Sequence, residues 1–96
     1  MEINRFLDLG AAACDVKPED LTSRKRHPSI VEAREILAWL GVIAYGFKVK
    51  EIAAGFEKYG ETASRLVSRA AHRRVVDEEF ADRIHSVDAL IAEEEG

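Results

Sequence analysis

Gly46-Phe47-Lys48-Val49-Lys50-Glu51-Ile52-Ala53-Ala54-Gly55-Phe56, then Glu57-Lys58-Tyr59-Gly60, then Glu61-Thr62-Ala63-Ser64-Arg65-Leu66-Val67-Ser68-Arg69-Ala70-Ala71-His72-Arg73-Arg74, is the stretch on which the fold turns. Its apolar residues recur at three- and four-residue intervals, the period of a helix and not of a strand. Val49, Ile52, Ala53 and Phe56 form one short stripe with small Ala53 at its packed centre. A turn through Tyr59 and Gly60 follows. The next helix is expected from Thr62 to about Arg74 with Ala63, Leu66, Val67 and Ala70 inward. Ser64, Arg65, Ser68, Arg69, His72 and Arg73 are thereby left outward, on a face that is short, polar and cationic.

The same period extends in both directions, with no sustained two-residue alternation and no Asn-Gly hairpin signal. Upstream, a helix is expected from Ile3 to Cys14, with Ile3, Phe6, Leu7, Gly10, Ala13 and Cys14 on one face. Pro18 suits the first position of a short helix, Pro18 to Leu21. Ser29 and Glu32 have capping-box spacing, so a long helix is expected to start there. Ile30, Ala33, Leu37, Leu40 and Ala44 carry its stripe, Ile36 and Ile43 widen it, and Gly46 offers a left-handed stop. Trp39 lies off the stripe, where it would cover a neighbouring helix. Downstream, Asp77 can cap a last, acidic helix over 77–92 whose buried stripe is Phe80, Ile84, Val87 and Ile91. The Glu93-Glu94-Glu95 tail is expected to fray. The pattern predicts an all-α fold, a compact bundle of five to six helices. Phe6, Ile36, Leu37, Leu40, Ile52, Phe56, Leu66, Val67, Phe80 and Ile84 should share one core.

Ninety-six residues make one domain, 1–96, and 47% apolar with 33% charged residues is a globular composition. Cys14 is the only cysteine, so no internal disulfide forms. Its Ala-rich surroundings suit a buried structural thiol, and reducing cytoplasm is the expected compartment. No 18-residue apolar run and no signal-like start is present, so neither a membrane span nor a secretory leader is expected. The net charge of −4 argues against nucleic acid only until its distribution is considered. Residues 1–21 hold two basic and five acidic side chains, 22–76 eleven and five, and 77–96 one and eight. The middle is basic and the ends are acidic.

A short helix, a tight turn and a second helix whose solvent face alternates hydroxyls with arginines is helix-turn-helix chemistry, here placed at about 47–74. One helix fits the major groove of DNA, arginine can fork onto guanine O6 and N7, and Ser or Thr can bond several base edges or phosphate. A solvated face of a helical bundle has the same composition, and the alternatives are separated by a second cationic surface. Arg24-Lys25-Arg26 has no nearby acidic residue in sequence to pair with, and cations of this kind bind phosphate by releasing counterions.

The order of these elements resembles the C-terminal DNA-binding domain of the bacterial replication initiator DnaA, in the Trp-repressor-like helix-turn-helix group. Leu21-Thr22-Ser23-Arg24-Lys25-Arg26 looks like that family's basic loop. Ile30-Val31-Glu32-Ala33-Arg34 through Leu40 looks like its long helix, and Gly46 through Phe56 like its first motif helix. The resemblance covers about residues 3–90, and similar domains also occur appended to transposases of repetitive palindromic elements. It implies that Arg24, Lys25 and Arg26 approach the minor groove while Thr62, Ser64, Arg65, Ser68 and Arg69 face the major groove. Where the initiator has an Asp-His-Thr-Thr-like run, this chain reads Tyr59-Gly60-Glu61-Thr62-Ala63-Ser64. The full candidate DNA-binding set is Arg24, Lys25, Arg26, Lys48, Lys50, Thr62, Ser64, Arg65, Ser68, Arg69 and Arg73, and double-stranded DNA is the expected partner, with a larger parent protein or a homo-oligomer left open beside it. The alternative is a protein-protein interaction domain that keeps the fold without DNA binding.

Other chemistry finds no support in the sequence. Gly41 and Gly46 have phosphate-loop spacing, but Phe47 stands where lysine is required and no strand precedes. His27, His72 and His85 are dispersed, without cysteine or carboxylate partners at metal-ligand spacing. No nucleophile elbow or oriented base is readable. The expectation is a non-enzymatic, nucleoid-associated protein with no catalytic residue, metal or cofactor.

Overall fold

The computed structural model describes residues 1–95, and every regular element is helical. Gly96, the last residue of the expected domain, lies outside the described residues. Helix α1 spans Ile3–Ala13, α2 Pro18–Thr22, α3 Pro28–Trp39, α4 Val49–Gly55, α5 Gly60–Val76 and α6 Glu78–Glu95. A π-helical turn, Leu40–Ala44, continues α3.

Helix starts follow from local chemistry. The Glu2 carboxylate accepts the Asn4 N–H at 2.8 Å and opens α1. Pro18 takes the first position of α2, where an N–H would lack a partner, and Asp20 accepts the Lys17 N–H at 3.2 Å. Asp77 caps α6 as expected, its Oδ1 accepting the Phe80 N–H at 3.1 Å. The expected capping box of Ser29 and Glu32 does not form. Pro28 occupies the first position of α3, so His27 becomes the cap, its Nδ1 accepting the Ser29 N–H at 3.3 Å. Glu32 is thereby free to pair with Arg73 and Arg83 instead.

The core stripes come together around α3 and α5, which pack against each other, with α4 on α5, α1 on α6 and α1 on α4. Phe6, Phe56, Phe80, Leu21, Leu37, Leu40, Ile52 and Ile91 are fully buried. Nine of the ten expected core residues are buried; Val67 is half-buried at the core's edge. The radius of gyration, 11.8 Å, is close to the ~12.5 Å of a compact chain of this length. Cys14 is half-buried between α1 and α3, and burial followed by the nearby Glu32 charge pushes its thiol up to about 12.

The π turn corrects one expectation. A regular α-helix would carry Ile43 and Ala44 on the buried stripe, but the wider turn, closed by the Tyr45 N–H on the Leu40 carbonyl at 3.0 Å, rotates both into solvent. Ile43 is 59% exposed. The gain is aromatic packing: the Phe6 ring lies 5.0 Å from Tyr45 and 5.3 Å from Phe47. The Tyr45 hydroxyl also donates to Asp88 at 3.1 Å. Gly46, at φ +75°, makes the expected left-handed stop. The acidic tail is corrected too, because α6 continues to Glu95, which pairs with Arg5 of α1 at 3.5 Å.

Candidate nucleic-acid interface

Helix α4 presents Ile52, Ala53 and, just past its end, Phe56 to the core, which fixes its inner face. The Glu51 carboxylate accepts the Lys48 N–H at 3.0 Å and holds the start of α4. Lys48 and Lys50 are both exposed at that end. The connection to α5 runs from Phe56 to Tyr59, and its left-handed position is Glu57 at φ 56°. The Lys58 N–H reaching back to the Ala53 carbonyl at 2.9 Å closes it. Gly60 belongs to α5, which therefore starts two residues before Thr62 and ends two after Arg74.

On α5, Ala63, Leu66 and Ala70 are buried and Val67 is half-buried, while Ser64, Arg65, Ser68, Arg69 and His72 are exposed and Thr62 is half-exposed. Arg73 departs from the expected outward set. Its position continues the inner stripe 63, 66, 70 by one more three-residue step, so its guanidinium turns toward α3 and α6. There it meets Glu32 at 3.1 Å, Glu35 at 3.3 Å and Asp77 at 3.6 Å, and stacks 4.2 Å from the Phe80 ring. Arg73 ties three helices together and is not a free cation. Its neighbour Arg74 lies 4.8 Å over Trp39, so the Trp39 ring does cover a neighbouring helix.

The basic loop is shaped by a residue that the sequence reading passed over. Arg34, 8% exposed, sends its guanidinium under the loop. Nε donates to the Leu21 carbonyl at 3.1 Å, Nη1 to Lys25 at 2.9 Å, and Nη2 to Asp20 at 2.8 Å and Ser23 at 2.7 Å. Burial, then the proximity of Arg26, lowers its pKa, with Asp20 opposing. Lys58, also missed, donates to the Ser23 carbonyl at 3.1 Å. With the loop carbonyls turned inward, Arg24 and Arg26 project into solvent. The signal for Arg34 was its spacing: four residues after Ile30 and three before Leu37, it sits on the buried stripe of α3, where a guanidinium needs acceptors. Lys58 had no comparable signal. Lys25 is a further correction, since it pairs with Asp20 at 3.1 Å in spite of its apparent isolation in sequence. That hydrogen bond, followed by the one from the Lys17 backbone, holds the Asp20 carboxyl below its ordinary range.

Both cationic surfaces meet in one groove of about 510 Å³ between the loop and α5. Arg24 and Arg26 stand on the loop side, Thr62, Leu66 and Arg69 on the α5 side, and Ser23, Val31, Arg34 and Lys58 complete it. Five of these nine residues are basic and none is acidic, in a chain with a net charge of −4. Arg24, Arg26, Arg65 and Arg69 have no carboxylate within ion-pairing distance among the described residues. Ser64, Arg65 and Ser68 do not line the groove, nor do Lys25, Lys48, Lys50 and Arg73. Among the described residues no group of three or more His, Cys, Asp or Glu side chains could hold a metal ion, and no helix is long and apolar enough to cross a membrane. A scan against protein-family models returns no match for this chain, and a search of curated proteins returns none either.

Proposed function

We propose that this protein binds double-stranded DNA through a helix-turn-helix formed by α4 and α5. In this reading α5 enters the major groove, where Ser64, Arg65 and Ser68 reach base edges, and the Arg24–Arg26 loop contacts the phosphate backbone or the adjacent minor groove. The observation that carries the reading is the groove between loop and α5, whose lining is basic without a single acid although the molecule as a whole is acidic. Unpaired arginines gathered on one surface repel each other. Their placement stabilises the complex with a polyanion and not the free protein. The likeness of 21–26, 30–40 and 46–56 to the initiator's DNA-binding domain points the same way. It suggests a module of replication initiation or of a transposase, working at the nucleoid.

A second reading, a protein-interaction domain of the same fold, is favoured by Val75 and Val76, which are 76% and 68% exposed beside the acidic start of α6. In vitro selection from a random duplex library, followed by titration of the enriched and scrambled duplexes, separates the two. The DNA reading expects enrichment, and expects Arg65→Ala to lose the preference for the enriched duplex by about 1–3 kcal/mol. It expects Arg24→Ala to weaken both duplexes alike. Wild-type protein that is folded and enriches nothing would leave the interaction domain as the account.

A further inference from the structure

Resting on the duplex-DNA reading, we infer that the groove between the Arg24–Arg26 loop and α5 seats one phosphodiester strand of the duplex, and that Arg69 is a phosphate clamp and not a base reader. The sequence alone pairs Arg69 with Arg65, four residues apart on one helix. The fold separates them: Arg69 lines the groove with the loop, and Arg65 does not.

The geometry of the duplex gives the reason. A helix in the major groove, about 12 Å wide, is flanked on each side by a phosphate strand. On the side of α5 where the loop stands, that strand has only the groove to occupy. There it meets cations from both the loop and α5, Arg24 and Arg26 on one side and Arg69 on the other, with Lys58 also in the lining. The Thr62 hydroxyl adds a donor that suits phosphate oxygens, and the absence of any carboxylate removes repulsion. Arg34 contributes its charge but no contact, because its guanidinium is engaged with loop carbonyls. It acts as a positioning residue that holds one wall of the groove.

The test uses the full chain and a duplex enriched by the wild type, in a series where one phosphate at a time is replaced by an uncharged methylphosphonate. Binding of wild type, Arg69→Ala and Arg65→Ala is followed by anisotropy, with thermal melts confirming that the exposed substitutions leave the fold intact. Consecutive phosphates on one strand should each weaken the wild type by about fivefold when neutralised. At least one of those replacements should become silent in Arg69→Ala. That variant should also lose affinity equally for enriched and scrambled duplex, with a salt slope smaller by about one. Arg65→Ala should keep the slope and lose the preference. The inference is overturned if Arg69→Ala erases the sequence preference at unchanged slope, or if its loss simply adds to that of every methylphosphonate. In either case a preference lost in Arg65→Ala shows that the DNA reading itself stands. A wild type that binds no duplex overturns both.

Discussion

Replacing Arg34 by Met keeps the aliphatic stem on the face of α3 and removes its four donations to carbonyls in and beside the basic loop, while Lys58 still holds the Ser23 carbonyl. The Leu21 carbonyl is buried, so losing its partner costs about 1–3 kcal/mol. The acceptors at Lys25, Asp20 and Ser23 are only half-buried and can turn to water, for about 0.5 kcal/mol each. Against this, the substitution relieves the desolvation that lowers the pKa of the guanidinium. A net loss of about 2–4 kcal/mol follows, within the total of about 5–15 kcal/mol that a domain of this size possesses, so the variant stays folded. Urea unfolding should show a lower midpoint at unchanged slope, and amide exchange should accelerate over residues 22–27 while α5 remains protected. Binding to duplex should weaken beyond what the stability change explains, because Arg24 and Arg26 must then be ordered on contact. A stability change below about 0.5 kcal/mol, with loop exchange unaltered, would refute the role given to Arg34.

Three further perturbations probe the fold. Gly41→Ala would put a methyl 2.5 Å from Ile52 Cδ1 and 3.1 Å from Phe6 Cε2, both in the closed core, so unfolding measurements should show a loss of about 1–3 kcal/mol. Glu57→Gly relieves a left-handed residue and should raise stability by up to about 1 kcal/mol, read as a higher melting temperature; a decrease would mean that the turn is not strained. Cys14, whose thiol is pushed up to about 12 from an ordinary value of 9.0, should resist iodoacetamide in the native protein at pH 8 and react rapidly in urea. Because its folded pKa is raised, its contribution to stability is full below about pH 9 and is lost as pH rises toward 12. Cys14→Ala should flatten that alkaline decline.

Much of the architecture was legible because burial follows the helical period. The stripe Phe80, Ile84, Val87, Ile91 and its Asp77 cap were readable from spacing alone, as was the left-handed Gly46. Three features were not, each for a physical reason. The π turn at Leu40–Ala44 leaves no mark in the pattern, since a helix of the ordinary period fits Ile43 equally well; only the packing of Phe6 against Tyr45 and Phe47 selects the wider turn. Arg73 was placed outward because charge outweighed its position on the inner stripe, and its acidic partners come from α3 and the α5–α6 junction. Within the candidate interface, the residues Arg24, Arg26, Thr62 and Arg69 were named from sequence. Their convergence was not, because it depends on Arg34 folding the loop toward α5 from thirteen residues beyond Leu21.

The most direct measurement of the central claim is the affinity of the wild type for duplex DNA as a function of salt. Four cations that line the groove keep N–H donors for phosphate, Arg24, Arg26, Arg69 and Lys58, which spends one of its three on the Ser23 carbonyl, whereas the Arg34 guanidinium is committed to the loop. If each meets a phosphate, the logarithm of the association constant should fall against the logarithm of salt with a slope of about −3.6. That amounts to a loss on the order of a hundredfold between 50 and 200 mM. A slope near zero, or no binding at 50 mM salt by protein that is folded, would contradict the account.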